Sequence, residues 1–498
     1  MRRGAAGWIR VMFAGALAAG IQGSLAAEGF DPGYPEPPAL RPGQSTELRL
    51  NSAVPELEWW TGIPTEGPAS TVVEGQARRT LSTPVATPGR WVFRVHGQGQ
   101  LSPWRMALVD PLPVLEIPAK AQDSAEPVEL RPPVAVDGTI PANGSRRFAV
   151  PLRRQERVTL EVVARRLGSP LDPRLRLRDP AGRVVAEVDD LPGLEGDGWI
   201  EYRATTPGRH VIEVSDTEGD GGGQHRFRLR VHGGEPEWFP YLPVEGAGLA
   251  PGSVSDRPRI EASPDARLSG PTTVMAAFTR PGQPLRYRLQ VGAKEAWRVA
   301  LRTRLRGSRA DVLARFETRE GKVLAESDAT TSEDGTLNHV FAEAGEVRLV
   351  LTELSGGAGR GYGFEFELEP GGPDFGVAVD RETAEVKPGG TVEFKVTVAR
   401  QGYDGALSLA ADGLPADFRL EGTQIEAKKK EGVLKLVAPT NAVPGTLRFF
   451  RLHATGSGKG ESRVVPVSTR KALRAAWPEL LCPPPGLDGV VTLWVQRP

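Results

Sequence analysis

Leu171-Asp172-Pro173-Arg174-Leu175-Arg176-Leu177-Arg178-Asp179-Pro180-Ala181-Gly182-Arg183-Val184 alternates apolar and polar residues into a glycine turn. About 139 positions later, Ala310-Asp311-Val312-Leu313-Ala314-Arg315-Phe316-Glu317-Thr318-Arg319-Glu320-Gly321-Lys322-Val323 repeats the pattern. Both copies run on through an acidic corner (Asp189-Asp190 and Asp328), a second glycine turn (Pro207-Gly208 and Ala344-Gly345) and a Gly-rich loop. They close on an alternating strand, Arg226 to Val231 and Gly363 to Glu369. A period of two is the mark of a strand with one buried face. Its recurrence at a fixed distance marks a duplicated all-β module, used more often to hold or display than to catalyse.

The same alternation extends through the chain. Val158 to Val163, Val211 to Val214, Phe227 to Val231, Val347 to Leu351 and Phe364 to Leu368 read as half-buried strands. Pro-Gly or Asp-Gly pairs at Pro88-Gly89, Pro207-Gly208, Asp334-Gly335, Pro388-Gly389, Asp404-Gly405 and Pro444-Gly445 set turns between them, the antiparallel signature. No segment has the length and 3.6-residue period of a crossover helix, which argues against a parallel α/β sheet.

The first residues are an export signal rather than part of the fold. Arg2, Arg3 and Arg10 precede the apolar run Val11 to Ile21, and Ser24-Leu25-Ala26 supplies the small residues a signal peptidase reads, so cleavage is expected after Ala26. That run is about half the ~20 residues needed to span a bilayer, and no later segment is long and apolar enough to stop transfer. A secreted, periplasmic or cell-envelope location follows, with no membrane span after cleavage. The chain carries 62 basic and 62 acidic residues, so there is no basic footprint for a nucleic acid. Its single cysteine, Cys482, excludes an intramolecular disulfide framework. Either it is an incidental thiol in the tail or it bridges to another chain.

Breaks in the pattern divide the chain into a signal peptide (1–26), an N-terminal sandwich that is a divergent repeat or shares a recurring hairpin (34–110), and a linker (111–131). The first repeat (132–233), a Pro-rich connector (234–268) and the second repeat (269–369) follow. A further all-β unit spans 373–468, and 469–498 reads as an irregular tail in which Trp477-Pro478, Cys482 and Pro483-Pro484-Pro485 do not continue the alternation.

Gly138, Phe148 and the run Leu160 to Asp172, followed by Asp179, Gly182 and Asp189-Asp190, resemble the bacterial pre-peptidase C-terminal domain of planctomycete-type secreted proteins. Asp216 and the final strand His225 to Val231 agree with it over about 100 residues. The second copy keeps the skeleton at Val312 to Phe316, Gly321, Asp328, Gly345 and Phe364 to Leu368. Pro373-Asp374-Phe375, Gly389-Gly390, Gly402-Tyr403-Asp404-Gly405 and Leu414-Pro415 resemble the immunoglobulin-like module that often follows such domains. The resemblance implies an all-β chain of tandem jelly-roll-like and immunoglobulin-like β-sandwiches, accessory to extracellular enzymes or acting in adhesion and substrate binding. One departure is that relatives carry an Asp-x-Asp stretch where this chain has Ser145-Arg146-Arg147-Phe148, which removes early carboxylates from any cation site in the first copy.

Catalytic signatures do not stand out. His96, His210, His225, His232, His339 and His453 are scattered singly, and no His-Glu-x-x-His, Gly-x-Ser-x-Gly or P-loop occurs. His210 follows a turn and reads as a satisfied or solvent-facing side chain. Cys482 beside three prolines lacks a helix terminus to favour a thiolate. Asp189, Asp190, Asp197 and Asp216 are candidate ligands for Ca²⁺, which takes oxygens from loop carboxylates and carbonyls. Their alternative role is to cap backbone N–H groups in solvated turns. Trp59 and Trp60, adjacent on a strand, point to opposite faces, and an exposed indole there is a candidate binding surface for a sugar or a protein. Trp199 and Trp297 are expected in sandwich cores.

The expectation is therefore a non-catalytic, secreted multidomain scaffold for extracellular protein or polysaccharide binding. Its rival is an accessory or inhibitory component of a secreted protease system, whose partner is that protease.

Overall fold

A computed structural model describes residues 34–496 except 51–57, 61–70, 74–75, 83–87, 98–99, 118–125, 234–258, 262, 329–333 and 459–460. The segment 1–26, read as a signal peptide, lies outside the described residues. The alternating segments are strands: the first repeat comprises Val134–Thr139, Ser145–Leu152, Arg157–Val163, Pro173–Arg178, Val184–Val188, Trp199–Arg203, Gly208–Asp216 and Arg226–His232. Its first, eighth, third and sixth strands form one sheet, and its second, seventh, fourth and fifth form the other. This is the double Greek key of a jelly roll.

The second repeat comprises Thr272–Ala277, Leu285–Val291, Ala296–Arg302, Val312–Thr318, Val323–Asp328, Thr336–Val340, Gly345–Glu353 and Gly363–Pro370. Its strands pair in the same two orders. Even the local irregularity is duplicated: the register of the fourth strand shifts at Leu177/Arg178 and again at Phe316/Glu317. The turns that follow put Gly182 at φ 82° and Gly321 at φ 90°, a region open to glycine without a Cβ clash. Inward residues of the two sheets, among them Leu175, Leu177, Ile212, Val214, Phe227 and Leu229, make one core. Each such side chain contributes about 1.5–3 kcal/mol on burial.

Parts of the segments read as linker and connector join the sandwiches. Val128–Glu129 pairs in parallel with Ser145–Leu152, and Val114 bridges to Ala135. Correspondingly, Arg259–Glu261 pairs with Thr272–Ala277, and Arg267–Leu268 with Leu285–Val291. A sandwich edge presents unpaired N–H and C=O groups, and the incoming chain satisfies them.

Ten hydrogen-bonded strands of the last unit wrap around a core that includes Phe375, Phe394, Leu434 and Phe450. Here the expected irregular tail is corrected. Residues Arg470–Ala476 form a short helix, and Val490–Val495 is a strand. That strand runs antiparallel to Leu447–Arg451 and parallel to Thr383–Val386, so the unit does not end at Ser468. All six of its residues are buried, so it shows no alternation to read.

In the N-terminal unit, Ala39–Leu40, Arg105–Val109, Gly89–Gly97 and Glu58–Trp60 form one sheet, and Ser45–Leu50, Gln76–Ser82 and Thr71–Val73 another. This unit packs directly on the last one: Val92, Trp104 and Met106 share a core with Phe449, Leu473, Trp477, Leu487 and Trp494. Among the described residues no helix is long and apolar enough to cross a membrane.

Candidate functional site

The four aspartates proposed for calcium do not converge. Asp197 is fully buried, accepts the N–H groups of Ala164 (2.9 Å) and Arg165 (2.8 Å), and pairs with Arg166 Nε at 2.7 Å. It thereby fixes the tight turn Arg165–Leu167, which ends on Gly168 at φ 74°. Burial raises its pKa, and the Arg166 guanidinium only partly offsets this. The second repeat uses the same device: Asp334 accepts from Arg304 N at 3.0 Å and from the Thr303 hydroxyl, below Gly307 at φ 68°.

Asp216 accepts from the N–H groups of Asp172 (2.9 Å), Glu218 (2.9 Å) and Asp220 (3.0 Å). Its counterpart is Glu353, which accepts from Asp311 N (3.3 Å), Gly357 N and the Ser355 hydroxyl. Asp189 and Asp190 remain exposed at their corner, Asp189 accepting from the N–H of Asp190. Partial desolvation and the negative charges of Asp172 and Asp189 raise the pKa of Asp190. Among the described residues, no three acidic, histidine or cysteine side chains gather where they could hold a metal ion. The reason is local: turn N–H groups need acceptors, and these carboxylates supply them.

Other expectations are also relocated. His210 is buried, its Nδ1 3.1 Å from the Gly208 carbonyl and its Nε2 without a hydrogen bond among the described residues. Trp297 lies in the second core, but Trp199 does not fill the first. It is half-buried at the junction of the repeats, where the Arg309 guanidinium lies 4.5 Å from its ring and 4.6 Å from that of Tyr362. Cys482 is buried and in no disulfide among the described residues, and burial pushes its pKa up, away from a nucleophilic thiolate. The strand Glu58–Trp60 pairs with His96, Val95 and Arg94, while the side chains of Trp59 and Trp60 lie outside the described residues.

What the sequence did not reveal is a chain of buried charges between units. Arg228 and Arg230 alternate with Phe227, Leu229 and Val231 as though facing water, yet both are wholly buried. The N-terminal unit covers that face and contributes Asp110, which accepts from Arg228 Nε at 2.8 Å and Arg230 Nε at 3.2 Å. Arg228 also holds Asp137 (3.1 Å), and Arg230 holds Glu161. Glu161 accepts from Arg166 at 2.8 Å, and Arg166 reaches Asp197. The order is Asp137, Arg228, Asp110, Arg230, Glu161, Arg166, Asp197, with signs alternating throughout. Burial pushes Glu161 up, but the guanidiniums of Arg230 and Arg166 outweigh it and hold the carboxyl below its usual range. Asp137, at the end of the row, is raised by burial to about 6 against the pull of Arg228.

Two further bridges complete the lock. Arg94 makes a two-pronged contact with Glu382 (3.1 and 3.2 Å) and donates to the Thr492 hydroxyl at 2.8 Å, while Trp104 Nε1 donates to Glu382 at 3.1 Å. Arg90 pairs with Glu195 of the first repeat and donates to the Arg304 carbonyl of the second at 3.1 Å.

Beside this network lies a cleft of 780 Å³ between the N-terminal unit and the first repeat. One wall is Glu36 to Ala39, Arg41 and Gln44 to Glu47 with Arg49, and the other Val114 to Ile117, Asp137 to Thr139, Arg226 and Phe227. Gly138 is required there, since a Cβ would come within 2.9 Å of the Phe227 ring. The volume falls within the range of ligand sites, about 300–1,000 Å³.

No family model matches the chain, and no curated protein matches it. Similar solved structures include the D1–D4 ectodomain fragment of ICAM-5, with 15% identity, 87% of this chain and 96% of that one covered, and a TM-score of 0.14. Domains 1–6 of the surface layer protein SbsC match at 12% identity over 87% of this chain and 53% of that one, TM-score 0.14. The fibronectin(III)-like modules of Clostridium thermocellum CbhA match at 13% over 40% and 95%, TM-score 0.12. With likeness this distant, the sheet topology itself defines the fold.

Proposed function

We propose that this chain is a secreted, non-catalytic scaffold that binds an extracellular protein or glycan, and that its two jelly rolls are pre-peptidase C-terminal domains. The observation that supports this reading is where the charges go. Buried carboxylates and guanidiniums pair across unit boundaries or staple turns, leaving a large cleft between units that ion pairs join. Fixed spacing between surfaces favours binding, because less ordering entropy is lost on association.

A protease-accessory role is the second reading, and it is supported by the resemblance carried by Leu160 to Asp172. The test is retention of the purified mature protein on insoluble polysaccharides and on intact cells of the producing organism, before and after protease treatment of the cells. Saturable retention supports the scaffold, and its loss on protease treatment assigns a protein receptor. Absence of saturable retention, or turnover of peptide or ester substrates by the purified protein, contradicts it. A secreted peptidase whose activity changes on addition of the protein favours the second reading.

A further inference from the structure

We infer that a basic tip of the first repeat, formed by Arg153, Arg154, Arg157 and Arg203, binds an anionic polysaccharide. This deepens the scaffold reading and rests on it. The tip is built from two connections at one end of the sandwich. Gln155 N donates to the Ala204 carbonyl at 2.7 Å and Ala204 N to that of Glu156 at 2.8 Å, which sets the turn Arg153 to Glu156 against the end of the strand Trp199–Arg203. All four arginines are exposed, and Arg157 stands directly opposite Arg203 across the strand pair. Like charges so placed, with Cβ atoms about 4.5–5.5 Å apart, destabilise a sheet. None of the four guanidiniums makes an ion pair among the described residues, and Arg203 Nε donates to the Gln155 carbonyl at 3.3 Å. The carboxylates around them are engaged. Glu156 accepts from Arg153 N at 2.6 Å as part of the turn. Glu201 is held by Arg309 at 2.5 Å, Asp179 by Arg183 at 2.6 Å and Glu126 by Arg209 at 3.5 Å. Those charges cancel in pairs, and the tip keeps four arginines against Glu156 alone.

The second repeat shows that the fold does not call for this surplus. Its corresponding turn has the same geometry: Lys294 stands in the place of Gln155, at φ 63° against 67°, its N–H donates to the Phe341 carbonyl at 2.7 Å, and Gly292 N donates to Glu295. Yet Gly292, Ala293 and Ala296 occupy the places of Arg153, Arg154 and Arg157, and the residue opposite Ala296 is Val340. A cluster present in one copy, breaking a pairing rule of the sheet on connections that vary without disturbing the core, marks a site rather than packing. The class of ligand follows from what accompanies the arginines. The other exposed residues of the two connections are Gln155, Glu156, Thr205 and Pro207. A protein partner needs an aromatic or aliphatic anchor to bury, and unpaired bases need aromatic faces to stack on; the tip offers neither. Several guanidiniums on a solvated tip suit the repeated carboxylate or sulfate groups of a polysaccharide, held by forked hydrogen bonds.

Biolayer interferometry of the full-length mature protein on immobilised polygalacturonate, dextran sulfate and neutral dextran tests this. One variant carries the second repeat's residues at the four places, Arg153→Gly/Arg154→Ala/Arg157→Ala/Arg203→Val. A control loses the same charge elsewhere, with the exposed Arg280, Arg286, Arg319 and Arg419 each changed to Ala. Melting curves check both, and Arg153→Ala/Arg154→Ala, confined to the exposed turn, replaces the fourfold variant if that one melts early. The expected result is saturable, salt-sensitive binding to one or both acidic polymers and not to dextran, weakened roughly tenfold or more in the tip variant and no more than about twofold in the control. A preference between the two polymers supports the inference and assigns carboxylate or sulfate as the group held. Absence of saturable binding to both acidic polymers overturns it, as does an equal loss in the control. Tip-dependent binding to polyglutamate or duplex DNA that is tighter than to both polymers also overturns it. Retention on cells that persists through any of these leaves the scaffold reading standing, so the two fail separately.

Discussion

Asp110 has no water to turn to: it and both of its arginine partners are wholly buried, and one carboxylate serves Arg228 and Arg230 together. Its removal leaves two guanidiniums under-compensated, and breaking a buried pair this way costs about 3–5 kcal/mol. Asp110→Ala should therefore lower the midpoint of urea unfolding sharply, whereas Asp189→Ala, at an exposed corner, should shift it little. Asp137 makes a pH-dependent counterpart. Its folded pKa is raised from 3.8 to about 6, so the contribution of its protonated form is full below about pH 4 and is lost as pH rises through 6. His232, lowered from 6.5 to about 4 by burial and Arg230, contributes with the opposite sign across the same window. The comparison that isolates Asp137 is wild type against Asp137→Asn. Their stability difference should change between pH 4.5 and 6.5 by about 1 kcal/mol per pH unit at most, with the wild type losing ground as pH rises. A constant difference would contradict the assignment. Asp197→Asn belongs to this scale too: as a turn staple it should lower stability equally with calcium and with a chelator, and calcium-dependent destabilisation would restore the cation reading.

Strand alternation made the sandwiches legible, because each has one face in a core. Pro173–Arg178 and Leu285–Val291 show that alternation, whereas Val158 to Val163 and Phe364 to Leu368, read as half-buried, lie in strands Arg157–Val163 and Gly363–Pro370 that are buried on nearly every residue. Alternation says which residues face away from a sandwich's own core, but not whether another unit covers them, and so Arg228 and Arg230 read as solvated. Val490–Val495 escaped for the converse reason, being buried on both faces. The aspartates stood out in the sequence, but their backbone partners did not, since sequence shows a carboxylate in a turn without showing which N–H groups it meets. Comparison of the copies supplied a usable signal: Asp216 and Glu353 occupy equivalent places on different chain chemistry, and a carboxylate that tolerates this exchange fits a backbone cap. Element junctions carry their own prediction. A Cβ at Gly193 would lie 2.1 Å from the Arg309 carbonyl, and one at Gly168 would lie 2.3 Å from the Trp477 ring. Gly193→Val should pry the repeats apart and expose the junction to limited proteolysis. Trp477→Ala should cost about 3–5 kcal/mol through the cavity it leaves. Unchanged cleavage patterns in Gly193→Val would show that the repeats do not depend on that contact.

Across the whole molecule, the N-terminal unit is the piece that meets all the others. Asp110 ties it to the first repeat, Arg90 to both repeats, and Arg94 with Trp104 to the last unit. The segment from Arg470 onward threads its helix and strand through the same junction, so the sandwiches behave as one body rather than as beads on linkers. A cleft between units can only be a defined site if that is so. Differential scanning calorimetry of the mature protein, alongside Asp110→Ala, measures this directly. The account predicts that the N-terminal unit, the first repeat and the last unit unfold in one transition in the wild type, with calorimetric and van't Hoff enthalpies agreeing, and that Asp110→Ala splits it. Separate wild-type transitions for these units, unmoved by the substitution, would contradict it.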